Sequence, residues 1–440
     1  MHSTDLPCSS SLAMALFLTV LFTPIAAQLP EQVHLSFGDS QYSLTVEWLT
    51  FQPAASSEVS LCLGFYCSVH SGSAAFWVYS EAETGPGIPR YVHSVSLPSL
   101  QPRALYTYRV GSSLDSLWSS NLTLLGPIND LNGQRATFNS TSFLLIGDFG
   151  TCSDAPKQTL ATLSEEARSW QYDALFHAGD IAYNLETENG ARGDAFMRDI
   201  EPIASAIPYM VAVGNHEKDQ NFTSYKHRFH MPQKHDSMYY SLNLGPVHVL
   251  VYSSEVFCGK KCEGVRKAQW EWMLSDLEAA QQDRSKRPWL IAISHKPLYC
   301  STSWSTPESI EDCALVPQLV QQEYEALFAA YHLDVHFHGH VHSYERTQPV
   351  YKGKGLGGKY MTPNLVVDAE APVYVIEGNA GTCRENDLNL PSATPEPWSV
   401  FRSFDLGYLR ITANSTIFRL ARILSSSHLL EDLFCLVKSS

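Results

Sequence analysis

The chain has 440 residues, of which 44% are hydrophobic and 17% are charged. This composition is that of a globular protein with a sizeable core, and the length allows two or three domains. The formal net charge is −15, and no run of Lys and Arg offsets it. Because nucleic acid must be neutralised by clustered basic residues, the charge argues against a nucleic-acid partner.

An apolar stretch over residues 12–22 lies near the N-terminus and is followed by the small residues Ala26 and Ala27. It is too short to span a bilayer comfortably, and its position is typical of a secretory signal peptide. The preceding flank has no Lys or Arg, so a membrane anchor or a buried helix remains an alternative. We predict a signal peptide over 1–27 and a mature protein that is secreted or lysosomal and has no membrane segment.

Four Asn-X-Ser/Thr tripeptides agree with secretion, although each alone is a weak signal because the pattern is common by chance. The candidate glycosylation sites are Asn121, Asn139, Asn221 and Asn414.

The sequence contains 10 cysteines, and Cys8 falls within the signal peptide. Three pairs are close enough in sequence to close small loops in an oxidising compartment. These pairs are Cys62/Cys67, Cys258/Cys262 and Cys300/Cys313. Half a zinc site is the alternative for Cys258 and Cys262, but no second pair of ligands lies at a matching distance. An odd number remains, so at least one of Cys152, Cys383 and Cys435 is free or pairs between chains.

Residues 28–126 predict an all-β domain, because alternating stretches such as 43–48 and 105–110 are separated by turns rich in Gly and Pro. A fibronectin-III-like sandwich of seven strands fits this pattern. Trp48 is then a candidate core residue, and Tyr106 or Tyr108 is a candidate for a tyrosine corner. A polar linker follows.

From residue 142 onward, short buried strands alternate with helical segments such as 157–169. The predicted strands are 143–146, 173–177, 210–213, 247–251, 290–293 and 334–337. This alternation predicts an α/β domain over 140–424 with mostly parallel sheets. In such domains ligands bind just beyond the carboxyl ends of the strands.

Polar clusters follow five of these strands, each at the C-terminal edge. The clusters are Gly147-Asp148-Phe149-Gly150, Gly179-Asp180-Ile181-Ala182-Tyr183, Gly214-Asn215-His216-Glu217, Ser294-His295-Lys296-Pro297 and Gly339-His340-Val341-His342. Carboxylate, phenol, amide and imidazole groups together are ligands for hard or borderline cations. Each cluster alone has an ordinary structural explanation, and only the joint, ordered occurrence is specific.

The ordered set resembles the signature of purple acid phosphatases within the metallophosphoesterase superfamily, and the likeness covers the chain after the signal peptide. The animal iron/zinc purple acid phosphatase-like proteins are the most similar group. Segments 335–346 and 398–408 look like further family blocks. The resemblance implies an α/β (α+β) four-layer metallophosphoesterase sandwich behind the N-terminal all-β fibronectin-III-like domain.

The resemblance also implies a dinuclear metal centre. One Fe³⁺ ion would be held by Asp148, Tyr183 and His342, and a second, divalent metal (Zn, Fe or Mn) by Asn215, His295 and His340, with Asp180 bridging both. The charges agree with this division, because the first site has two unshared anions and the second has neutral ligands besides the shared carboxylate. Tyr183 discriminates this family from relatives with other metals, and its phenolate gives the family its purple colour.

The implied activity is that of an acid phosphatase, which hydrolyses small phosphate monoesters with a metal-bound hydroxide as the nucleophile. His216 resembles the family's histidine that binds phosphate and protonates the leaving group. The alternative for His216 is support of the neighbouring ligand. His177 and His338 are expected to be strand or supporting residues rather than ligands.

Two segments depart from the family pattern. Residues 298–305 lack the histidines that plant members have there, so a second proton donor is not defined. Residues 425–440 form a divergent C-terminal segment. Two other functions stay open: a metal-dependent phosphodiesterase or nucleotidase on the same scaffold, and a catalytically silent secreted protein that binds partners through its β-sandwich. The physiological substrate and the oligomeric state do not follow from the sequence.

Overall fold

The computed structural model describes residues 29–40, 43–80, 87–128, 140–151, 153–233, 235–304, 310–382, 389–391 and 395–439. Several sequence predictions lie outside these residues, namely the signal peptide over 1–27, the sequon at Asn139 and the two cysteines Cys152 and Cys383. Within the described ranges, none of the helices combines the length and apolar character that crossing a bilayer requires.

The N-terminal part forms two sheets that pack face to face. Its strands are β1 (Glu31–Phe37), β2 (Leu44–Thr50), β3 (Glu58–Leu63), β4 (Tyr66–Ser71), β5 (Ser73–Tyr79), β6 (Ile88–Leu97), β7 (Leu105–Ser112), β8 (Leu117–Trp118) and β9 (Leu122–Leu125). The strand orders are β1-β2-β6-β5 and β4-β3-β7-β8, and β9 also pairs with β7. The described strands number nine rather than the expected seven, because the chain returns along β7 in two short pieces, β8 and β9, and because β4 and β5, which pair in different sheets, are separated only by Gly72.

The core of this sandwich explains its aromatic residues. Trp48 is buried, as predicted, and its ring stacks on His93 at 5.0 Å. The hydroxyl of Tyr106 accepts a hydrogen bond of 2.8 Å from the backbone N–H of Gln101, which is the bond of a tyrosine corner. The Tyr108 hydroxyl instead donates to the carbonyl of Ser205, at 2.7 Å, and so joins the two domains.

The second part of the chain contains two large mixed sheets and two small sheets of two strands each. Their strands are β10 (Ser140–Ile146), β11 (Ala174–Ala178), β12 (Tyr209–Ala212), β13 (Tyr240–Leu244), β14 (Val247–Val251), β15 (Trp289–Ile293), β16 (Thr302–Trp304), β17 (Val335–His338), β18 (Tyr344–Thr347), β19 (Val350–Tyr351), β20 (Lys354–Gly355), β21 (Gly358–Thr362), β22 (Leu365–Ala369), β23 (Val373–Glu377), β24 (Asn389–Pro391), β25 (Ser399–Ser403), β26 (Gly407–Asn414), β27 (Ile417–Leu424) and β28 (Leu430–Val437). The eight-stranded sheet has the order β12-β11-β10-β26-β27-β28-β22-β21, and the seven-stranded sheet has the order β13-β14-β15-β17-β23-β18-β25. Strands β10 to β12, and β14, β15, β17 and β23, run parallel within their sheets.

Helices cover the outer faces of both sheets. They are α1 (Ala155–Arg168), α2 (Ala191–Ala204), α3 (Thr223–Arg228), α4 (Glu263–Gln282) and α5 (Ile310–Ala330). Helix α1 packs on the eight-stranded sheet, where Glu166 accepts from Tyr408 at 2.7 Å. Between the sheets, Phe418 contacts Trp289, with ring centroids 5.6 Å apart. The predicted four-layer fold behind an all-β domain is therefore confirmed.

Buried charged groups join the two domains. Arg90 of β6 donates to Asp194 of α2, with Nε 2.9 Å from Oδ1, and Arg228 of α3 lies 2.8 Å from the same oxygen. The indole of Trp77 lies 5.2 Å from each of these two guanidinium groups. The two arginines surround one carboxylate, so the β-sandwich is fixed against the helices that flank the second domain.

The C-terminal segment over 425–440 contributes strand β28, which lies between β27 and β22. Asp432 on this strand is buried and accepts from Arg346, at 2.6 Å, and from the Tyr344 hydroxyl, at 2.7 Å. These bonds connect the last strand to the segment directly after the Gly339–His342 cluster.

Two of the predicted disulfides, Cys62–Cys67 and Cys258–Cys262, are confirmed. Cys300 is also disulfide-bonded, and the side chain of its predicted partner Cys313 lies outside the described part of the chain. Cys435 is a free thiol.

Candidate metal centre

The five polar clusters lie at one edge of the two sheets. They begin directly after β10, β11, β12, β15 and β17, at the ends of parallel strands. Strand ends of this kind meet at a common edge, which is where ligands bind in α/β domains. The structure thus brings the seven predicted metal ligands and His216 together.

Asp148, Tyr183 and His342 form one group of donors. The Tyr183 hydroxyl lies 3.2 Å from Asp148 Oδ1 and 2.9 Å from His342 Nε2. His342 Nε2 lies 3.4 Å from Asp148 Oδ1. The three donor atoms are close enough to one another to bind a single cation.

Asn215, His295, His340 and Asp180 form the second group. His295 Nε2 lies 3.0 Å from Asn215 Oδ1, 3.2 Å from His340 Nδ1 and 3.1 Å from Asp180 Oδ2. The donor atoms of Asp180, His295 and His340 all lie within 4.8 Å of one another. This is again the spacing of ligands around one cation.

The electrostatics of the site favour the binding of cations. Asp148 and Asp180 are buried, and no Lys or Arg within the described ranges pairs with either carboxylate. Buried carboxylates are costly unless positive charge compensates them. Burial raises the pKa of the Tyr183 phenol well above 10.0, and Asp148 and Asp180 raise it further, so a phenolate here needs a strongly polarising ion. The donor set fits the two metals that the sequence predicts.

The carboxylate of Asp180 and the imidazole of His295 shift each other's pKa. Burial raises the pKa of Asp180, but the adjacent His295, His216 and His340 outweigh burial and lower it below its usual value. Burial lowers the pKa of His295, yet Asp180 more than offsets this and raises it to about 10. These side chains therefore attract one another strongly.

The backbone turns sharply where it leaves the strands. Asp148, Asp180 and His340 have φ values of 57°, 55° and 71°, in the left-handed region that costs a non-glycine residue about 1–2 kcal/mol. The neighbouring glycines give room for close approach: a Cβ on Gly339 would lie 2.4 Å from Asp148 Oδ2, and one on Gly179 would lie 2.6 Å from His295 Nδ1. Such strain is typical of a functional site.

His216 lies at the open side of this centre. Its backbone N–H donates to Asp180 Oδ1, at 3.0 Å, and its ring centroid lies 4.8 Å from that of Tyr183. Its Nδ1 lies 2.7 Å from Asn184 Oδ1. Because an amide oxygen only accepts, this contact holds a proton on Nδ1 and fixes the orientation of the imidazole.

Sequence reasoning assigned no role to Asn184 or to the side chain of Glu217. Glu217 is buried and accepts N–H groups from Gly214 at 2.8 Å, Asp180 at 3.0 Å and Ile181 at 2.8 Å. It therefore ties together the loops after β11 and β12. Its place in the Gly214–Glu217 cluster was visible in the sequence, but its backbone partners were not.

Other buried histidines lie behind the centre. His177 Nδ1 lies 2.9 Å from the Tyr209 hydroxyl, and His338 Nδ1 lies 3.3 Å from Ser294 Oγ. Burial lowers the pKa of each of these two imidazoles to about 3. Both residues lie within strands, His177 in β11 and His338 in β17, and burial favours the neutral form of each imidazole.

The three described sequons differ in exposure. Asn121 and Asn221 are exposed, whereas Asn414 is half-buried. Asn414 Oδ1 accepts backbone N–H groups from Thr416, at 2.9 Å, and Ile417, at 2.8 Å. Glycosylation at these positions stays a prediction.

The four-layer fold and the carboxylate, phenol and imidazole centre define the chain as a metallophosphoesterase. Residues 141–344 match the family described as Calcineurin-like phosphoesterase. Residues 30–124 match Purple acid Phosphatase, N-terminal domain, and residues 371–431 match Iron/zinc purple acid phosphatase-like protein C. The chain belongs to the purple acid phosphatase family, as the relatives described next also show, and membership implies a dinuclear metal centre.

Acid phosphatase type 7 of Mus musculus is 36% identical over 396 residues, which cover 87% of this chain and 84% of that protein. The Homo sapiens protein of the same description is 36% identical over 401 residues, covering 89% and 86%. The structure of purple acid phosphatase PPD1 from yellow lupin (Lupinus luteus) seeds matches with a TM-score of 0.79 at 23% identity, covering 94% of this chain and 75% of that one. This last likeness shows the shared fold.

Proposed function

We propose that the chain is an acid phosphatase that hydrolyses small phosphate monoesters at a centre of two metal ions. The observation that carries the proposal is the meeting of two donor groups at one edge of the sheets, with His216 beside them. The relatives described as acid phosphatases support the same activity.

Fe³⁺ is assigned to Asp148, Tyr183 and His342, and the divalent metal, Zn, Fe or Mn, to Asn215, His295 and His340, with Asp180 bridging. The division is supported by charge, because a carboxylate and a phenolate favour a trivalent ion, whereas an amide and imidazoles suit a divalent one. When bound, two such ions hold the phosphoryl oxygens and activate the attacking water.

The chain's own residues perform the remaining tasks. Asp180 and Glu217 fix the loops that carry the ligands. The two cations, when bound, would make the field of the site positive, so that an acidic chain could bind an anionic substrate. With its Nδ1–H held by Asn184, His216 would carry on Nε2, the nitrogen that faces Asp180, the proton that is transferred to the leaving alcohol oxygen as the P–O bond breaks. The histidine needs this fixed geometry because proton transfer works only within hydrogen-bond reach.

The disulfides Cys62–Cys67 and Cys258–Cys262 support an oxidising compartment and hence a secreted or lysosomal protein with a cleaved signal peptide. Exposed Asn121 and Asn221 are accessible for glycosylation. Enzymatic removal of N-linked glycans from protein recovered from the culture medium should lower its apparent mass.

Purified protein should be assayed side by side with an aryl phosphate monoester and a diester between pH 4 and pH 8. Monoester turnover with an optimum below neutral pH is expected. Dominant diester turnover would show the phosphodiesterase alternative instead. A protein that contains no metal and hydrolyses neither substrate would be the catalytically silent binding protein.

A further inference from the structure

The loop that follows β11 carries Tyr183 and Asn184, and its backbone is strained. These two residues have φ values of 50° and 82°, and Glu188 and Asn189, farther along the loop, have φ values of 58° and 55°. Such left-handed conformations are uncommon for residues other than glycine, and they persist only where the surrounding structure fixes them. The contacts that hold this loop from outside therefore bear on the position of Tyr183.

The far end of the loop is held by an arginine of the N-terminal domain. Arg90 of β6 is fully buried, and its Nη2 donates to the backbone carbonyl of Asn189, at 2.9 Å. Arg228 of α3 donates in the same way to the carbonyl of Gly190, at 2.9 Å. A Cβ on Gly190 would lie 2.9 Å from Arg90 Nη2, so the backbone approaches this guanidinium more closely than a larger residue would allow.

The charges of this cluster explain why it attracts the loop carbonyls. Arg90 and Arg228 surround the buried carboxylate of Asp194, and no other carboxylate in the described ranges forms an ion pair with either arginine. One positive charge is thus in excess, and a buried charge is costly unless nearby oxygen atoms compensate it. The carbonyl oxygens of the loop supply part of this compensation through charge-assisted hydrogen bonds.

Helix α2 connects the same cluster to the start of the loop. Asp194 lies in the first turn of α2, and Arg192, two residues earlier, donates from Nη1 to the backbone carbonyl of Tyr183, at 2.9 Å. Arg90 therefore holds the end of the loop directly, and it holds the beginning through Asp194 and the first turn of the helix. Between these two ends lies Asn184, which holds the imidazole of His216.

We propose that Arg90 is a positioning residue for the metal centre. From the N-terminal sandwich it fixes segment 183–190, and thereby the phenol of Tyr183 and the amide of Asn184. The inference rests on the proposed function, in which Tyr183 binds iron and Asn184 orients His216. It gives the N-terminal domain a task in catalysis, which Arg90 performs through the backbone of the loop and through α2.

Arg90→Met tests the proposal, because it removes the donors, keeps a long side chain and leaves Arg228 and Asp194 as a balanced pair. Hydrogen–deuterium exchange of the full-length protein, with and without metal, is expected to become about 10-fold faster or more over segment 183–190.

In the metal-loaded Arg90→Met protein, the charge-transfer band of the Tyr183 phenolate should shift. The kcat should fall about 10-fold with little change in KM, because His216 loses its fixed orientation. Arg90→Lys keeps the charge but lacks the planar fork that contacts a carboxylate and a carbonyl together. Its changes should be smaller and in the same direction, and it replaces Arg90→Met if that variant does not fold.

Tyr108→Phe is the matched control, since it removes the interdomain hydrogen bond to Ser205 at the other end of α2. Exchange over 183–190, the band and kcat should stay those of wild type. Unchanged exchange in Arg90→Met, faster exchange without a change of the band, or equal changes in Tyr108→Phe would each overturn the proposal. A wild type that binds no iron would contradict the proposed function instead, and exchange in the metal-free protein would still measure whether Arg90 holds the segment.

Discussion

Two groups of buried histidines, one within the metal centre and one behind it, have opposite electrostatic surroundings. His295 contacts the carboxylate of Asp180, which overcomes the effect of burial and raises its pKa to about 10. His338 contacts Ser294, and burial lowers its pKa to about 3. Both residues stand at the C-terminal end of a parallel strand. The neighbouring carboxylate, and not burial or position in the strand, distinguishes a candidate ligand from a supporting residue.

The largest expected effect follows from substituting the two histidines separately. His295→Ala should remove a ligand and lose several kcal/mol of transition-state stabilisation, about 10³-fold in kcat/KM. Bound metal, measured by elemental analysis, should fall below two ions per chain.

His338→Leu is the matched control, because its side chain is equally buried and faces the core. Two metals per chain should remain bound in this variant. If His338→Leu lost metal as His295→Ala does, the distinction between the two groups would be wrong.

His216 is a third kind of histidine, partly exposed and held by Asn184 rather than assigned to a metal. Replacing it with Asn should lower kcat by about 10²–10³-fold, the range for a general acid. Metal content and the visible spectrum should stay those of wild type. A variant that loses a metal would place His216 among the ligands or their supports.

Glu217 tests how far the site depends on a residue that contacts no substrate. The two carboxylate oxygens of Glu217 together accept three backbone N–H groups. Glu217→Gln replaces one of these oxygens with an NH₂ group, which can only donate. Metal affinity should fall about 10–100-fold, as for partners of metal ligands elsewhere. Competition with a chelator measures this change, and an unaltered affinity would exclude a positioning role.

The smallest expected effect concerns His230, a histidine at the domain interface. Its Nδ1 lies 2.5 Å from Glu47 Oε1, and Glu47 is fully buried. Glu47 raises the pKa of His230 above its usual 6.5, although burial opposes this. Burial raises the pKa of Glu47, but His230 and His34 outweigh it and lower the pKa from 4.5 to about 2.

The raised pKa of His230 means that its contribution to stability is complete below pH 6.5 and is lost as the pH rises through the folded-state pKa. The lowered pKa of Glu47 means that its contribution is complete above pH 4.5 and is lost as the pH falls toward 2. The pair thus stabilises most between pH 4.5 and 6.5. Because the His230 side chain is 48% exposed, solvent screening limits the loss to about 1 kcal/mol or less.

Urea unfolding of wild type and His230→Gln at pH 5.5 and pH 8.5 measures this contribution. The two proteins should differ more at pH 5.5 than at pH 8.5. An equal difference at both pH values would show that the pair does not titrate as described.

Much of the site could be predicted from the sequence because each ligand belongs to a short motif at the end of a strand. Asp148, Asp180 and His340 turn off their strands next to glycines that the sequence displays. The alternation of strands and helices predicted an α/β domain, whereas the four-layer arrangement was implied by the family resemblance. The expectation of mostly parallel sheets was wrong, because strands β26 to β28 pair antiparallel with β10 and with each other.

Long-range contacts could not be predicted in this way. Arg90 and Asp194 are far apart in sequence, and no local pattern marks them as partners. The pairing of β28 with β27 places the C-terminal segment inside a sheet, where Asp432 accepts hydrogen bonds from Arg346. The backbone partners of Glu217 could not be predicted either, because every residue except proline has a backbone N–H group.

The central claim is that Asp148 and Tyr183 together select a trivalent iron ion beside a divalent one. Metal analysis and a visible absorption spectrum of wild type and Tyr183→Phe test it most directly. Wild type should contain two metal ions per chain, including iron, and should be coloured by charge transfer from the phenolate. Tyr183→Phe should lose that band. A colourless wild type, or a band that persists unchanged in Tyr183→Phe, would contradict the account.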